Sequence, residues 1–258
     1  MLAVAAVAPI VWLAGRDDDA SADETPPVDA SVAVTSEPES TGSTVQIGAI
    51  DPPTTTADGG GGGSTLARLE EVWLLDRGDR TYDWGATIVS NVAEDRGPVT
   101  IVASLLDADS VEVARVDGSI RSLAAGARAT IGGTVDDPAG LPKRITVDVV
   151  VGDPLTEPAP RRDDLQTIAV ERQGEGGSDG RPDLVVGRLR SGLDTELADI
   201  RLALIWRDEN RRIVGSIFHD IARVRPGVDA RFEVPVDERL AVDGPPTEIT
   251  WTHQPVDR

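Results

Sequence analysis

After residue 66 the chain alternates between apolar and polar positions with a period of two, which is the spacing of a β-strand. The stretch "RLALIWRDENRRIVGSI", residues 201–217, shows this pattern, its interruption by polar residues and its return. A polar break between two alternating runs predicts a hairpin. Two apolar residues on the outer side of the first run, Ala203 and Ile205, predict that this strand is central in its sheet. The inward side carries Ile200, Leu202, Leu204 and Trp206.

The chain contains this pattern twice. The stretch "TIVASLLDADSVEVARV", residues 100–116, has the same rhythm and the same break. Placing Gly126 on Gly227 gives an offset of 101 residues, which holds without a gap from about Trp84 to Val135. Solenoid repeats have periods of ~20–50 residues, so this offset indicates duplication of a whole domain.

Each copy has about seven short strands in roughly 90 residues, with turn signals between them, a pattern typical of an immunoglobulin-like β-sandwich. We therefore predict an all-β fold of two tandem Ig-like sandwiches, residues 67–153 and 165–258, that follow a disordered N-terminal tether. Prolines in residues 154–164 predict a short, stiff linker. We expect each sandwich to have its own core and to fold alone.

One turn is predicted in detail. Pro226-Gly227 stands between two apolar stretches, and Gly126 takes the equivalent place in the first copy. Proline presets φ and glycine accepts a positive φ, so we predict type II turns with Gly126 and Gly227 at the positive-φ position.

The N-terminal region predicts an anchor and a spacer. Residues 1–16 are uncharged and largely apolar up to Gly15, but a helix of about 15 residues rises only ~22 Å, less than the ~30 Å hydrocarbon core. We interpret them as the outer part of a membrane span whose beginning was lost to a late start-codon assignment. The alternative is a signal-peptide core cleaved after "ASA" at residues 20–22, and the coding frame upstream distinguishes the two.

Residues 17–66 are rich in Pro, Thr, Ser, Asp and Gly and contain ten acids, no base and no aromatic residue. Such a composition buries too little apolar surface to offset the entropy of ordering the chain. We predict a disordered spacer that holds the folded part away from a membrane.

The order of strands and signature residues resembles the FxLYD-type domains of bacterial and archaeal envelope proteins. The aromatic "LYD" signature appears as "LLD" at residues 105–107 and as "WRD" at residues 206–208. The resemblance covers most of both copies. It implies small Ig-like sandwiches in the cell envelope, and no catalytic residues.

The formal charge of −20 disfavours binding to nucleic acid through long-range repulsion. Lys143 is the only lysine, a bias that fits either a GC-rich genome or adaptation to high salt. The chain has no cysteine, which excludes disulfides, thiolate metal sites, Cys nucleophiles and the lipid-modified Cys of a lipoprotein.

Candidate catalytic chemistry is sparse. The only histidines, His219 and His253, have no partner at metal-ligand spacing. The one G-x-S-x-G match, residues 176–180, lies in a glycine-rich stretch that no helical pattern follows, so it does not read as a nucleophile elbow. The glycine-rich residues 174–180 are followed by neither a lysine nor a helix, as a phosphate loop requires. We therefore predict no enzyme activity, no cofactor and no metal. Two open alternatives are calcium at the acidic hairpins that begin at Asp107 and Asp208, and carbohydrate stacking on tryptophans such as Trp251.

Outward arginines distinguish the second copy from the first. Guanidinium groups suit carboxylates and phosphates, so we predict a partner-binding group on the 201–217 hairpin. The alternative is that neighbouring acids neutralise these arginines. The group is Arg201, Arg207, Arg211 and Arg212.

The sequence thus favours a non-enzymatic, membrane-tethered, extracytoplasmic module that binds an envelope protein or an anionic surface polymer. The alternatives are a purely structural spacer, or an enzyme whose catalytic residues form no recognisable motif.

Overall fold

The computed structural model describes residues 43–46 (backbone only), 65–174, 182–240 and 242–254. These residues belong to one compact unit, Glu39–Arg258. The predicted membrane segment, residues 1–16, lies outside the described residues, as does the predicted spacer except for residues 43–46 and 65–66.

The first sandwich packs two antiparallel sheets face to face. Its strands are β1 (Ser43–Gln46), β2 (Ala67–Gly78), β3 (Thr81–Ser90), β4 (Val99–Leu106), β5 (Glu112–Ile120), β6 (Arg128–Asp136) and β7 (Arg144–Val151). The sheet orders are β2-β3-β6 and β1-β7-β4-β5. Side chains from both sheets fill the core, among them Trp84, Ile88, Ile101, Leu105, Ile131 and Val147.

The second sandwich follows a short 3-10 helix, Arg162–Asp164. Its strands are β8 (Leu165–Gln173), β9 (Leu184–Ser191), β10 (Leu197–Arg207), β11 (Ile213–Val224), β12 (Ala230–Pro235) and β13 (Glu248–His253). The sheet orders are β12-β9-β8 and β11-β10-β13, so β10 is central as predicted. The core includes Leu189, Ile200, Leu202, Leu204, Trp206 and Phe232. The prediction of an all-β fold with two sandwiches is confirmed.

The duplication is visible in the pairing of the strands. Leu105 lies opposite Ala114, and Trp206 lies opposite Gly215 at the same offset. A register shift follows each of these pairs. The predicted hairpin is therefore present in both copies with one geometry.

The predicted turns also have the expected backbone. Gly126 and Gly227 both have φ of 65°. Val228 N–H donates to the Arg225 carbonyl at 3.3 Å, and Ala127 N–H donates to that of Ala124 at 3.0 Å. These bonds place each glycine at the third position of its turn, where a positive φ is required.

The linker between the sandwiches is fixed to the first one by Asp95. The Asp95 carboxylate accepts hydrogen bonds from Ala125 N–H at 2.7 Å and from Ala159 N–H at 2.8 Å, and Arg161 lies 3.6 Å away. The hydrogen bond from Ala125 is the main reason that the pKa of Asp95 is lowered. The stiff linker is thus part of the folded structure.

The sandwiches differ from the sequence prediction in one respect, because they share a third apolar cluster. The outer face of sheet β2-β3-β6 packs on the outer face of sheet β11-β10-β13. Ala203 and Ile205, on the outer side of β10, are each only 1% exposed. The shared cluster consists of Trp73, Leu75, Ile205, Ile213 and Phe218.

Candidate functional site

The predicted arginine group does not form one open surface. Arg201 donates two hydrogen bonds to Asp220, at 2.6 and 2.8 Å. Asp220 lies directly opposite Arg201 on β11. These hydrogen bonds raise the pKa of Arg201 and lower that of Asp220.

Arg207 belongs to the contact between the sandwiches. Its guanidinium donates to both carboxylate oxygens of Glu71, on β2, at 2.8 and 2.7 Å. It also donates to Glu248 at 3.2 Å. The hydrogen bonds to Glu71 are the largest cause of the raised pKa of Arg207. Since Glu71 is 7% exposed, Arg207 neutralises a buried carboxylate.

Arg212 pairs with Asp208 at 2.8 Å, within its own hairpin. Arg211 is exposed and has a positive φ of 65°, and within the described part of the chain its side chain has no ion pair. Three of the four predicted arginines are therefore held by carboxylates, of which Asp208 is a neighbour in the hairpin, Asp220 lies on the paired strand and Glu71 lies on the other sandwich.

The acidic hairpins use their carboxylates within the turn. Asp107 Oδ1 accepts from the N–H groups of Asp109 and Val111, each at 2.9 Å. Asp208 Oδ1 does the same with Asn210 and Arg212, at 2.9 and 2.8 Å. Both carboxylates thus stabilise turns. In the described residues, no three His, Asp or Glu side chains are grouped as metal ligands.

Trp73 and Arg77 give the contact between the sandwiches its polar specificity. Trp73 Nε1–H donates to Ser216 Oγ at 3.1 Å, and its ring stacks on Phe218 with centroids 6.5 Å apart. Arg77 donates to the Ser216 carbonyl at 2.7 Å and pairs with Asp83. Trp73 and Arg77 of the first sandwich thus both donate hydrogen bonds to Ser216 of the second.

Asp83 is buried beside this contact, at 1% exposure. Thr134 donates to it at 2.9 Å. Burial raises the pKa of Asp83 to about 6, although Arg77 and Thr134 act in the opposite direction. The native state therefore favours a protonated Asp83 at mildly acidic pH.

Two glycines make room for the shared cluster. A Cβ on Gly85 would overlap the ring of Trp73, and one on Gly132 would overlap both the ring of Phe218 and the Trp84 carbonyl. A Cβ on the neighbouring Gly133 would lie 3.7 Å from the nearest atom, which is ordinary van der Waals contact. Close approach of the two sheets thus depends on the absence of side chains at residues 85 and 132.

A cleft opens where the two sandwiches and their linker meet, and we call it the junction cleft. It comprises two adjoining hollows that share Ser122, Pro160 and His253. The hollow beside the linker has a volume of about 270 Å³ and is also lined by Arg121 and Glu157. The other hollow is lined by Leu123, Arg128, Arg162, Thr250 and Trp251, among others.

The polar groups of the junction cleft are incompletely paired. Thr250 Oγ1 and His253 Nδ1 are buried, and neither has a hydrogen-bond partner among the described residues. Burial, together with the charge of Arg121, lowers the pKa of His253, so its imidazole is neutral at pH 7. The Trp251 ring is half-buried and its Nε1–H donates to the Arg162 carbonyl at 3.2 Å.

The basic groups of the cleft fall into two kinds. Arg128 is held by Glu70 and by Glu248, which lies 3.7 Å away. Arg121 and Arg162 are exposed and form no ion pair within the described residues. The cleft therefore combines an aromatic ring, unpaired polar atoms and two available guanidinium groups.

Nothing in the sequence pattern brings Trp251 and His253 together with Arg121. Their juxtaposition depends on the packing of one sandwich against the other, which a pattern within one strand does not report. The available signal was the apolar outer side of β10, at Ala203 and Ile205, which indicated a covered face.

No family model matches this chain, and a comparison with curated proteins finds no significantly similar sequence. The likeness to FxLYD-type domains thus rests on the residues themselves. Within the residues that the structure describes, no helix has the length and apolar character needed to cross a membrane.

Proposed function

We propose that this protein is a non-enzymatic binding module, held at the outer side of a membrane by its N-terminal segment, whose junction cleft binds an anionic surface polymer. The sequence supports the tether and the envelope location through the acidic residues 17–66 and the likeness to FxLYD-type domains. The structure supports the binding role through the chemistry of the cleft.

One observation carries the proposal: the cleft is built by both sandwiches and places an aromatic ring beside two guanidinium groups that form no ion pair among the described residues. Arg121 comes from the first sandwich, whereas Trp251 and His253 come from the second.

The groups of the cleft match a polymer of acidic sugars. Sugar rings stack on the exposed part of Trp251. Carboxylates pair with Arg121 and Arg162, for which guanidinium geometry is well suited.

The hairpin arginines contribute less to this proposal, because carboxylates already hold Arg201, Arg207 and Arg212. The contact between the sandwiches also suits a second candidate function, a spacer of fixed length. A spacer, however, has no use for an aromatic ring and two exposed guanidinium groups gathered in one cleft.

The test is retention of the full chain on an immobilised uronic-acid polymer and on a neutral glucan. The variant Arg121→Glu with Arg162→Glu changes the charge of the cleft, and Arg115→Glu with Arg188→Glu makes the same change at exposed arginines elsewhere. We expect retention of the wild type and the control on the acidic polymer only, with at least tenfold weaker binding of the cleft variant.

Equal retention of both variants contradicts the cleft as the binding site. Absence of retention on any polymer, together with specific capture of an envelope protein that the cleft variant loses, assigns the cleft to a protein ligand. Absence of any ligand favours the spacer.

A further inference from the structure

Strand β1 occupies the edge of the first sandwich. Ser43–Gln46 pairs antiparallel with residues 146–149 of β7, with Val45 opposite Val147. β1 comes from the segment that the sequence predicts to be a disordered spacer, and residues 47–66 connect it to β2. Part of the spacer is therefore held against the fold.

Strand β7, which pairs with β1, lacks the features that keep an edge strand from pairing with another chain. β7 has the sequence "RITVDVVV", with Arg144 and Asp148 as its only charged residues and no proline or glycine. An apolar edge strand of this kind exposes unpaired backbone groups and templates pairing with another chain.

Three of the other edge strands carry features that discourage such pairing. β5 has alternating charges and β12 has two charges and a terminal proline. β8 has a register shift after Ile168. β7 depends instead on coverage by β1.

We propose that β1 is an intramolecular cap of the β7 edge, and that the occupant of the uncapped edge is β7 of a second copy of this chain. Pairing about a two-fold axis through Val147 sets Ile145 opposite Val149 of the other copy. This register keeps the core-facing residues of both copies on one side of the joined sheet. It also sets Asp148 opposite Thr146, so that the two carboxylates do not meet.

In the intact chain β1 pairs with β7 in preference to a second copy, because β1 is covalently connected to the sandwich. A covalent connection of about 20 residues gives β1 an effective concentration in the millimolar range at β7. A second copy at micromolar concentration does not compete with it. Loss of β1 pairing removes this advantage.

The test uses the full chain with Thr44→Pro and Val45→Pro, because proline cannot donate the hydrogen bonds of the strand ladder. The matched control places the same two prolines in the connection, Thr54→Pro and Thr55→Pro. A third variant adds Val150→Lys to the β1 prolines and so places a charge on the edge strand. Mass in solution is measured by sedimentation across 1–100 µM, a range ~10-fold or more below the effective concentration of the cap.

We expect the wild type and the control to stay monomeric and the β1 proline variant to reach twice the monomer mass as concentration rises. Val150→Lys should return that variant to the monomer mass, and a peptide of residues 39–50 should do the same when added in excess. A β1 proline variant that stays monomeric overturns the proposal. Larger aggregates that neither Val150→Lys nor the peptide suppresses also overturn it.

Discussion

Arg207 and Glu71 lie 136 residues apart in the sequence and on different sandwiches, yet their side chains form two hydrogen bonds of 2.8 and 2.7 Å. Both side chains are largely withdrawn from water, at 19% and 10% exposure. A buried charge that loses its partner destabilises the native state, so this ion pair couples the packing of one sandwich to that of the other.

Removal of one partner of this pair should destabilise the protein strongly. We expect Arg207→Ala to lower the free energy of unfolding by ~2–4 kcal/mol, because Glu71 is left buried and uncompensated. Denaturant unfolding measures the change. The exposed pair of Arg190 and Asp229 has the same two-bond geometry and serves as control, so Arg190→Ala should have little effect.

The Arg207→Ala prediction has an internal check. Arg207→Met together with Glu71→Met removes both charges and should restore most of the lost stability. A double variant as unstable as Arg207→Ala alone would show that the ion pair is not the cause.

The space at Gly132 offers a second test of the contact. Gly132→Ala should destabilise by ~1–3 kcal/mol, because its Cβ overlaps the Trp84 carbonyl and the Phe218 ring and the sheets must move apart. Gly133→Ala is the matched control, with its nearest atom 3.7 Å away. Thermal unfolding of the two variants should differ, and equal melting temperatures would contradict the close packing described at residue 132.

The turns at Gly126 and Gly227 test backbone strain without steric clash. No atom lies within 4 Å of a Cβ at either position, and both have φ of 65°. Valine at either position should cost ~1–3 kcal/mol through φ alone. Asparagine, which tolerates a positive φ, should cost clearly less in the same denaturant experiment. Equal losses for valine and asparagine would point to a cause other than φ.

Asp83 should give the protein a distinctive pH dependence. Its pKa of about 6 exceeds the ordinary 3.8, so Asp83 binds its proton more tightly in the native state than in the unfolded state. The corresponding stability, ~3 kcal/mol, is complete below the unfolded-state pKa and is lost as pH rises through 6. Between pH 7.5 and pH 4.5 the wild type should therefore gain stability relative to Asp83→Asn.

Melting temperatures of the wild type and Asp83→Asn across this range measure the difference directly. The comparison cancels the contributions of the two histidines, whose pKa values are lowered mainly by burial and which act in the opposite direction. Parallel curves for the two proteins would mean that Asp83 does not titrate there.

Alternation along single strands was enough to predict most of the fold. The inward residues Leu202, Leu204 and Trp206, the hairpin at Asp208 and the positive φ of Gly227 all follow from local patterns. Each depends on neighbours in sequence or on an adjacent strand, and such relationships leave a periodic signal.

The contact between the sandwiches left a weaker signal. Ala203 and Ile205 indicate a covered outer face, and the central position of β10 within its sheet is one reason for it. The structure shows a second reason, because Ile205 packs with Trp73 of the other sandwich. Nothing in a local pattern pairs Arg207 with Glu71 or brings Arg121 to His253, so the junction cleft required the three-dimensional arrangement.

The two sandwiches form one folded unit whose contact builds the junction cleft, and differential scanning calorimetry of the full chain and of Trp73→Ala tests this unity. We expect a single transition for the wild type, with equal calorimetric and van't Hoff enthalpies, and two separate transitions once Trp73 is removed from the shared cluster. Two independent transitions in the wild type, unchanged in Trp73→Ala, would show that the sandwiches unfold as separate units.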